Sequence, residues 1–404
     1  MNTIHIIGLG NGGLDACPYG IVKQLETIQQ AYVRTMNHPI IEELKALHDL
    51  DDSWVSFDSV YEQHDDFEDV YQAIVKTLID AVENGDVYYI LPGHPMILEE
   101  TTQRLLKYQN DQFEVNVVGG RSFYDDVFNA MQIDPVKGFL SIDAMHYTPI
   151  QFNIHNDTLV TQVYDQFILS DLKVDLLEHY PAEHTVYIIM DAGIETEVVN
   201  SVPLCEIDHE PFVSNLAVLF IPRVTEEVDK YKDIHYSQLL FNQLVSDDGC
   251  PWDREQTNES ILKYLIEESY ELSEAVIQED DEAITDELGD VLLQVMLHCA
   301  IGEKEGYFTL NEVIHKMNDK VVRRHPHVFG SEQATSTDEV NAIWEAKKRE
   351  EGLFVERTKY EKDYANFIFP RMYETITKGI KPERLLLKQQ SLNGLNNDEK
   401  GKEK

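Results

Sequence analysis

Two acidic motifs stand close together in the C-terminal half of the chain: Glu267-Glu268-Ser269-Tyr270-Glu271, then Glu287-Leu288-Gly289-Asp290. Apolar spacing near 3.6 places the first on a helix over about 258–278 and the second on a helix over about 281–303. On the first helix the apolar stripe runs Ile261, Leu265, Leu272, Val276, and Glu268 interrupts it. Glu271 follows three residues later, over the same turn. Glu287 and Asp290 repeat that spacing beside a stripe of Ile284, Leu288, Val291 and Val295. Four carboxylates drawn into one inter-helical space repel, and burying them unpaired costs several kcal/mol each. A cation resolves the conflict, and all-oxygen ligation selects a hard one, Mg²⁺ or Mn²⁺. A solvated acidic face accounts equally well for one such pair in an acidic chain. Two pairs on successive helices favour the cation.

A third helix, over about 310–324, carries the opposite sign. Lys316, Lys320 and Arg323 recur at i, i+4 and i+7, and Arg324 adjoins them; Leu310, Ile314, Met317 and Val321 form its core stripe. Such a row can hold phosphates beside a metal, or it can simply complement the negative end of its own helix. Upstream, Gly249-Cys250-Pro251-Trp252-Asp253 forms a turn, with Asp253 and Gln256 at capping-box spacing. Trp252 is suited to stack on a base or to anchor a core.

GCPWDREQT, EESYE, DELGDVLLQV and DKVVRRHPHVFG, in this order, resemble the MazG-type nucleoside triphosphate pyrophosphohydrolases over about 240–350. The resemblance implies an all-α, dimeric fold that cleaves NTPs or dNTPs between the α- and β-phosphates. It assigns Mg²⁺ to Glu268, Glu271, Glu287 and Asp290, lets Glu267 assist the attacking water, and puts Lys320 and Arg323 or Arg324 on the triphosphate. Some members carry a second acidic unit downstream. Residues 353–392 hold none, so the single unit carries any activity.

The N-terminal half offers glycine loops. A strand at 4–7 runs into Gly8-Leu9-Gly10-Asn11-Gly12-Gly13, which fits GxGxxG. No acidic residue ends a second strand about 20 positions later, which argues against a dinucleotide site. A strand at 87–91 runs into Pro92-Gly93-His94-Pro95, and one at 115–118 into Gly119-Gly120-Arg121-Ser122-Phe123. Glycines that merely stop strands would look the same in each loop singly. Three such loops can form one cleft at the carboxyl edge of a sheet.

Together, IIGLGNGGLDA, YYILPGHPMI, VVGGRSF, DAMHY and VYIIMDAG resemble the tetrapyrrole methylases, S-adenosylmethionine-dependent enzymes of corrin and porphyrin synthesis, over about 1–222. The resemblance implies two α/β subdomains with the cofactor between them. Gly8, Gly10, Pro92, Gly93 and His94 would line its site, with Ser122 and Phe123 nearby. His94 stands where an acid is usual, and Arg121 where a small residue is common; a guanidinium there would obstruct the cleft or engage a carboxylate. The order of the two domains resembles the YabN-type bifunctional proteins over nearly the whole chain.

The elements that must position these residues differ between the halves. Over 1–222, strands at 4–7, 87–91, 115–118, 159–163, 186–190 and 216–221 alternate with helical stretches such as 71–83 and 99–108, which means α/β with a largely parallel sheet. From about 237 to 352 the pattern is all-α. Residues 223–236 read as a charged linker, and 353–404 as a helical arm with an unstructured polar tail.

The chain has 404 residues with 74 Asp+Glu against 33 Lys+Arg, a net charge of −41, which disfavours a nucleic-acid groove. No apolar run approaches the roughly 18 residues of a membrane span. Four scattered cysteines and no export signal fit the cytoplasm. The expected partners are nucleoside triphosphates, S-adenosylmethionine, a small-molecule methyl acceptor and a second copy of the chain. The competing readings are a regulatory sensor, whose N-terminal domain binds S-adenosylmethionine or a tetrapyrrole while hydrolysis is slow or absent, and a working methyltransferase with a vestigial C-terminal half.

Overall fold

The computed structural model describes residues 1–47, 53–64, 66–209 and 216–352. The expected arm and tail lie outside them. The chain divides into two compact units after Lys230, within the charged 223–236 stretch. Arg223 and Val224 belong to the first unit: Arg223 pairs with Asp157 at 2.8 Å, and Val224 is buried in the core of the second sheet.

The first unit is α/β and contains two five-stranded sheets. The strands of the first are β1 (Asn2–Gly8), β2 (Ala31–Val33), β3 (Trp54–Ser56), β4 (Val87–Leu91) and β5 (Phe113–Gly119), in the order β3-β2-β4-β1-β5 and parallel throughout. Helices α1 (Tyr19–Leu25) and α2 (Pro39–Leu47) cover one face, burying Ile21, Leu25, Ile40 and Leu44 against Ile7 and Ile90. Helices α3 (Asp58–Gln63), α4 (Phe67–Val82) and α5 (Glu100–Tyr108) cover the other, where Val70, Ile74, Leu78 and Leu105 meet Ile4, Ile6 and Tyr89. Burial on both faces explains the continuous apolar run of β4 and the buried Ile4, Ile6 and Ile7 of β1.

Helix α6 (Phe123–Met131) leads to the second sheet: β6 (Phe139–Asp143), β7 (Asp157–Thr161), β8 (Thr185–Met190), β9 (Val198–Pro203) and β10 (Val218–Ile221), in the order β6-β7-β10-β8-β9. Here the expectation of parallel pairing needs correction. β6 and β7 are parallel, but β10 runs antiparallel to β7 and β8, and β9 antiparallel to β8. The short turn region between β8 and β9 leaves room for a hairpin and none for a crossover helix. Helix α7 (Gln166–Leu177) packs on one face and Val127 of α6 on the other.

Among its described residues the second unit has helices and no strand: α8 (Ile234–Val245), α9 (Leu262–Gln278), α10 (Asp281–Lys304), α11 (Leu310–Arg324), the short α12 (Pro326–Phe329) and α13 (Thr337–Glu350). Glu279, left-handed at φ 56°, closes α9, and the Asp280 carboxylate caps α10 by accepting from the Ala283 N–H. A two-residue turn thus folds α9 back on α10. The core gathers around the C-terminal half of α10, where Leu297, Ala300 and Ile301 meet Val245 and Ile261, and Met296 and Cys299 meet Leu310. Several expected core positions, Val276, Leu288, Val295, Met317 and Val321, are instead exposed. Asp253 caps no long helix; it starts a single 3₁₀ turn, and the Gln256 amide donates to the Trp252 carbonyl at 2.9 Å. No helix among the described residues is long and apolar enough to cross a membrane.

Candidate functional site

The α9–α10 hairpin brings Glu268, Glu287 and Asp290 together. One carboxylate oxygen from each lies within 4.8 Å of the others, and all three side chains are half-buried. Burial first, then the charges of Asp290, Glu271 and Glu267, push the Glu268 carboxyl above its ordinary range. Burial first, then Glu271 and Asp290, does the same to Glu287. The Oε2 of Glu287 is buried with no hydrogen-bond partner. A buried carboxylate oxygen without a hydrogen-bond partner, among like charges, suits a hard cation as ligand, so the donor set fits Mg²⁺ or Mn²⁺. Glu271 is exposed and stands at the edge, close enough for its charge to act on both Glu268 and Glu287.

The basic residues of α11 are placed differently from one another. Lys320 is exposed. Arg323 pairs with Asp319 at 3.3 Å and with Glu351 at 2.5 Å. Arg324 is buried, holds Glu351 through two hydrogen bonds of 3.1 and 2.5 Å, and lies over the Trp344 ring. Its guanidinium is committed to that pair rather than offered to a ligand.

Next to the acids is a cavity of about 370 Å³ between α8, α9, α10 and the Trp252 turn. Trp252 and Tyr264 meet edge to face with centroids 5.8 Å apart, and Phe241, Leu244, Leu293 and Leu297 complete the apolar wall. The polar exception among the α10 residues of the lining is Gln294, missed in the sequence reading. It sits four residues after Asp290 on the buried face, and that spacing was the available signal. Nearby, His298 is held by Asn258 at 2.6 Å.

In the first unit the glycine loops meet at one sheet edge. Gly10 (φ 78°) and Gly93 (φ 68°) both adopt left-handed backbone and exchange two hydrogen bonds, of 3.1 and 3.0 Å. Gly8 ends β1, and Pro92 leads from β4 into this bridge. The His94 Nδ1 accepts from the Met96 N–H at 3.1 Å, which shapes the turn. Behind the bridge, buried His38 donates from Nε2 to the Gly10 carbonyl at 2.9 Å while its Nδ1 accepts from the Ile40 N–H. Burial lowers its pKa and keeps it neutral. Ser122 caps α6 by accepting from the Tyr124 N–H at 3.0 Å, and Phe123 packs on the Tyr124 ring. Of the two outcomes open to Arg121, the structure has it engage a carboxylate: its guanidinium pairs with Asp126, which is only 4% exposed.

The second sheet closes on this edge. β6, β7 and β8 run the same way, so the loops that follow them leave together. Gly193, after β8, lies so near Asp126 that an added Cβ would come within 2.4 Å of its carboxyl carbon. A Cβ added at Gly10 would come within 3.2 Å of the Arg121 Cβ, so the series Gly10–Arg121–Asp126–Gly193 joins the carboxyl edges of both sheets. Leu98, Gln162 and Asp191 hold left-handed backbone in the loops after β4, β7 and β8. Strain of this kind gathers where a fold is shaped for a ligand. Arg34 and the buried Glu99, paired at 2.7 Å, fix the far end of the 92–99 loop.

Residues 3–208 match the tetrapyrrole (corrin/porphyrin) methylases, and residues 256–329 match the MazG nucleotide pyrophosphohydrolase domain. The chain belongs to the tetrapyrrole methylase family, in the form that carries a MazG domain behind the methylase fold. The uncharacterized protein YabN of Bacillus subtilis is 42% identical over 350 residues, 86% of this chain and 71% of that protein. The MazG nucleoside triphosphate pyrophosphohydrolase/pyrophosphatase of Thermotoga maritima is 47% identical over 120 residues, 28% of this chain and 46% of that one. The nucleoside triphosphate pyrophosphohydrolase of Escherichia coli K12 is 44% identical over 105 residues, 26% of this chain and 40% of that one. The chain thus spans less than half the length of these two enzymes. Among solved structures, uroporphyrin-III-C-methyltransferase of Thermus thermophilus is 19% identical with a TM-score of 0.43, covering 55% of this chain and 95% of that one.

Proposed function

We propose that the helical unit is a Mg²⁺-dependent nucleoside triphosphate pyrophosphohydrolase that splits NTPs or dNTPs into the monophosphate and pyrophosphate. The observation that carries this reading is the three-carboxylate cluster with its partnerless buried oxygen on Glu287. Glu268, Glu271, Glu287 and Asp290 would hold the cation, which when bound would polarise the phosphorus–oxygen bonds and screen developing charge. Glu267 takes the proton of the attacking water as its oxygen bonds to the α-phosphorus. The bond from that phosphorus to the bridging oxygen breaks, and pyrophosphate leaves. Lys320 and Arg323 offset the charge on the departing phosphates. Trp252 offers a stacking surface for the base.

The first unit is, in the same reading, a methyltransferase-type domain that binds S-adenosylmethionine against the Gly10–Gly93 bridge, with Gly8, Pro92, His94, Ser122 and Phe123 around it. Its role is to hold the sulfonium in line with a small-molecule acceptor. The exposed Leu239, Leu288, Leu292 and Ile277 support a homodimer built on the helical unit. Free Cys17, Cys205, Cys250 and Cys299 suit a reducing cytoplasm.

The test is pyrophosphate release from a panel of NTPs and dNTPs, with and without Mg²⁺, for the wild type and Glu268→Ala. Metal-dependent release that disappears in the variant supports the hydrolase. No release from any nucleotide removes it, and titration of S-adenosylmethionine against the full chain then tests the sensor reading.

A further inference from the structure

We infer that the guanidinium of Arg121 holds the carboxylate on the methionine end of S-adenosylmethionine, so that the first unit selects its cofactor by the amino-acid part. The inference rests on reading the Gly10–Gly93 bridge as the cofactor site and adds what recognises the cofactor there.

Arg121 stands where the bridge and the second sheet meet. Its Cβ and its carbonyl oxygen both lie close to Gly10, and Ser122 and Phe123 follow it in the chain. From there the side chain reaches α6, where Nη2 donates to the Asp126 carboxylate. Asp126 is buried, and Gly193 lies against its carboxyl group. A buried carboxylate holds its one cationic partner in place, because losing that partner leaves an uncompensated charge. Arg121 is thus anchored by one arm. Its side chain is still 32% exposed, and among the described residues no other side chain takes its hydrogen bonds. A guanidinium has five N–H donors in a planar fork, so donors remain for a second carboxylate.

The surrounding charges decide which ligand fits. The loops after β1, β4, β5, β6, β7 and β8 span 9–18, 92–99, 120–122, 144–148, 162–165 and 191–197. Arg121 is the only lysine or arginine in them. The same loops carry Asp15, Glu99, Asp165, Asp191, Glu195 and Glu197. A polyphosphate at this edge would meet those acids with a single cation to offset them. S-Adenosylmethionine has the complementary pattern. Its sulfonium and ammonium suit an acidic edge, and its one carboxylate calls for one cation.

The experiment titrates the full chain by calorimetry with S-adenosylmethionine and with decarboxylated S-adenosylmethionine, which lacks only the carboxylate. Wild type binds the first about tenfold or more tightly than the second. In Arg121→Met that preference vanishes or reverses, because the decarboxylated compound carries the larger positive charge. The single variant leaves Asp126 buried without a cation. The double variant Arg121→Met/Asp126→Asn buries no charge and carries the test where the single one fails to fold, with the same loss expected. A general loss of structure would weaken both compounds together, so the change in preference separates recognition from folding. If wild type binds both compounds equally, or if the preference survives intact in the variants, Arg121 does not hold the carboxylate and this inference falls alone. If wild type binds neither compound, the inference falls together with the cofactor reading.

Discussion

The carboxylate of Glu351 clasps the buried guanidinium of Arg324 through hydrogen bonds of 3.1 and 2.5 Å, tying the end of α13 to the end of α11. The Arg324 bond holds the Glu351 carboxyl below its ordinary value of 4.5. A carboxyl depressed by folding stabilises fully above its unfolded pKa and loses that contribution as pH falls through its folded one. The stability gap between wild type and Glu351→Gln should be constant near neutrality and close below about pH 4.5. Glu351→Ala should cost about 3 kcal/mol at pH 7, because a buried cation loses its partner. Urea melts of the three proteins between pH 3 and 7 read both effects; a gap unchanged at pH 3 would refute the pairing.

At the acidic centre the prediction has two opposite signs. Glu268→Gln should lower pyrophosphate release by about a hundredfold or more. In metal-free buffer the same variant should melt higher than wild type, since burial and the charges of Asp290, Glu271 and Glu267 all oppose the Glu268 carboxylate. Mg²⁺ should raise the wild-type melting temperature and leave the variant nearly unmoved. A metal-free variant that melts lower would mean Glu268 is held by contacts other than like charges.

The Gly10–Gly93 bridge needs left-handed backbone on both sides. Gly93→Ala should cost about 1–2 kcal/mol of stability and weaken S-adenosylmethionine binding in calorimetry, while nucleotide hydrolysis by the other unit continues. Unaltered cofactor binding would place that site away from the bridge.

The apolar side chains exposed on α8 and α10 give a prediction about assembly. Paired substitution Leu239→Glu and Leu292→Glu should convert a dimer to a monomer in light scattering, with the helical content kept. A wild type already monomeric at high concentration would remove the dimer from the reading.

The strands that could be read directly, β1, β4, β5, β7, β8 and β10, are those buried on both faces or rich in Val, Leu and Ile, where the apolar run is long enough to stand out. β2 and β3 have three residues each, and β6 and β9 mix polar residues into edge positions, so their pattern is too short or too weak. The acids were legible because Glu268 breaks a periodic stripe. The stripe itself misled at Val276, Leu288 and Val295: helical spacing says which side chains share a face, not whether anything covers it. The Arg324–Glu351 pair joins residues 27 apart, and Gln294 lies inside the apolar run Val291–Met296 of α10, so folding alone makes them conspicuous.

The turn at Glu279 and Asp280 has a consequence for inheritance. It lets one uninterrupted stretch of chain, from Glu268 to Asp290, supply every acid of the cluster. A centre written so locally forms from contacts close in sequence, which assemble early and fast. It can also be copied, lost or joined to a new neighbour by one genetic event, since no distant segment has to travel with it.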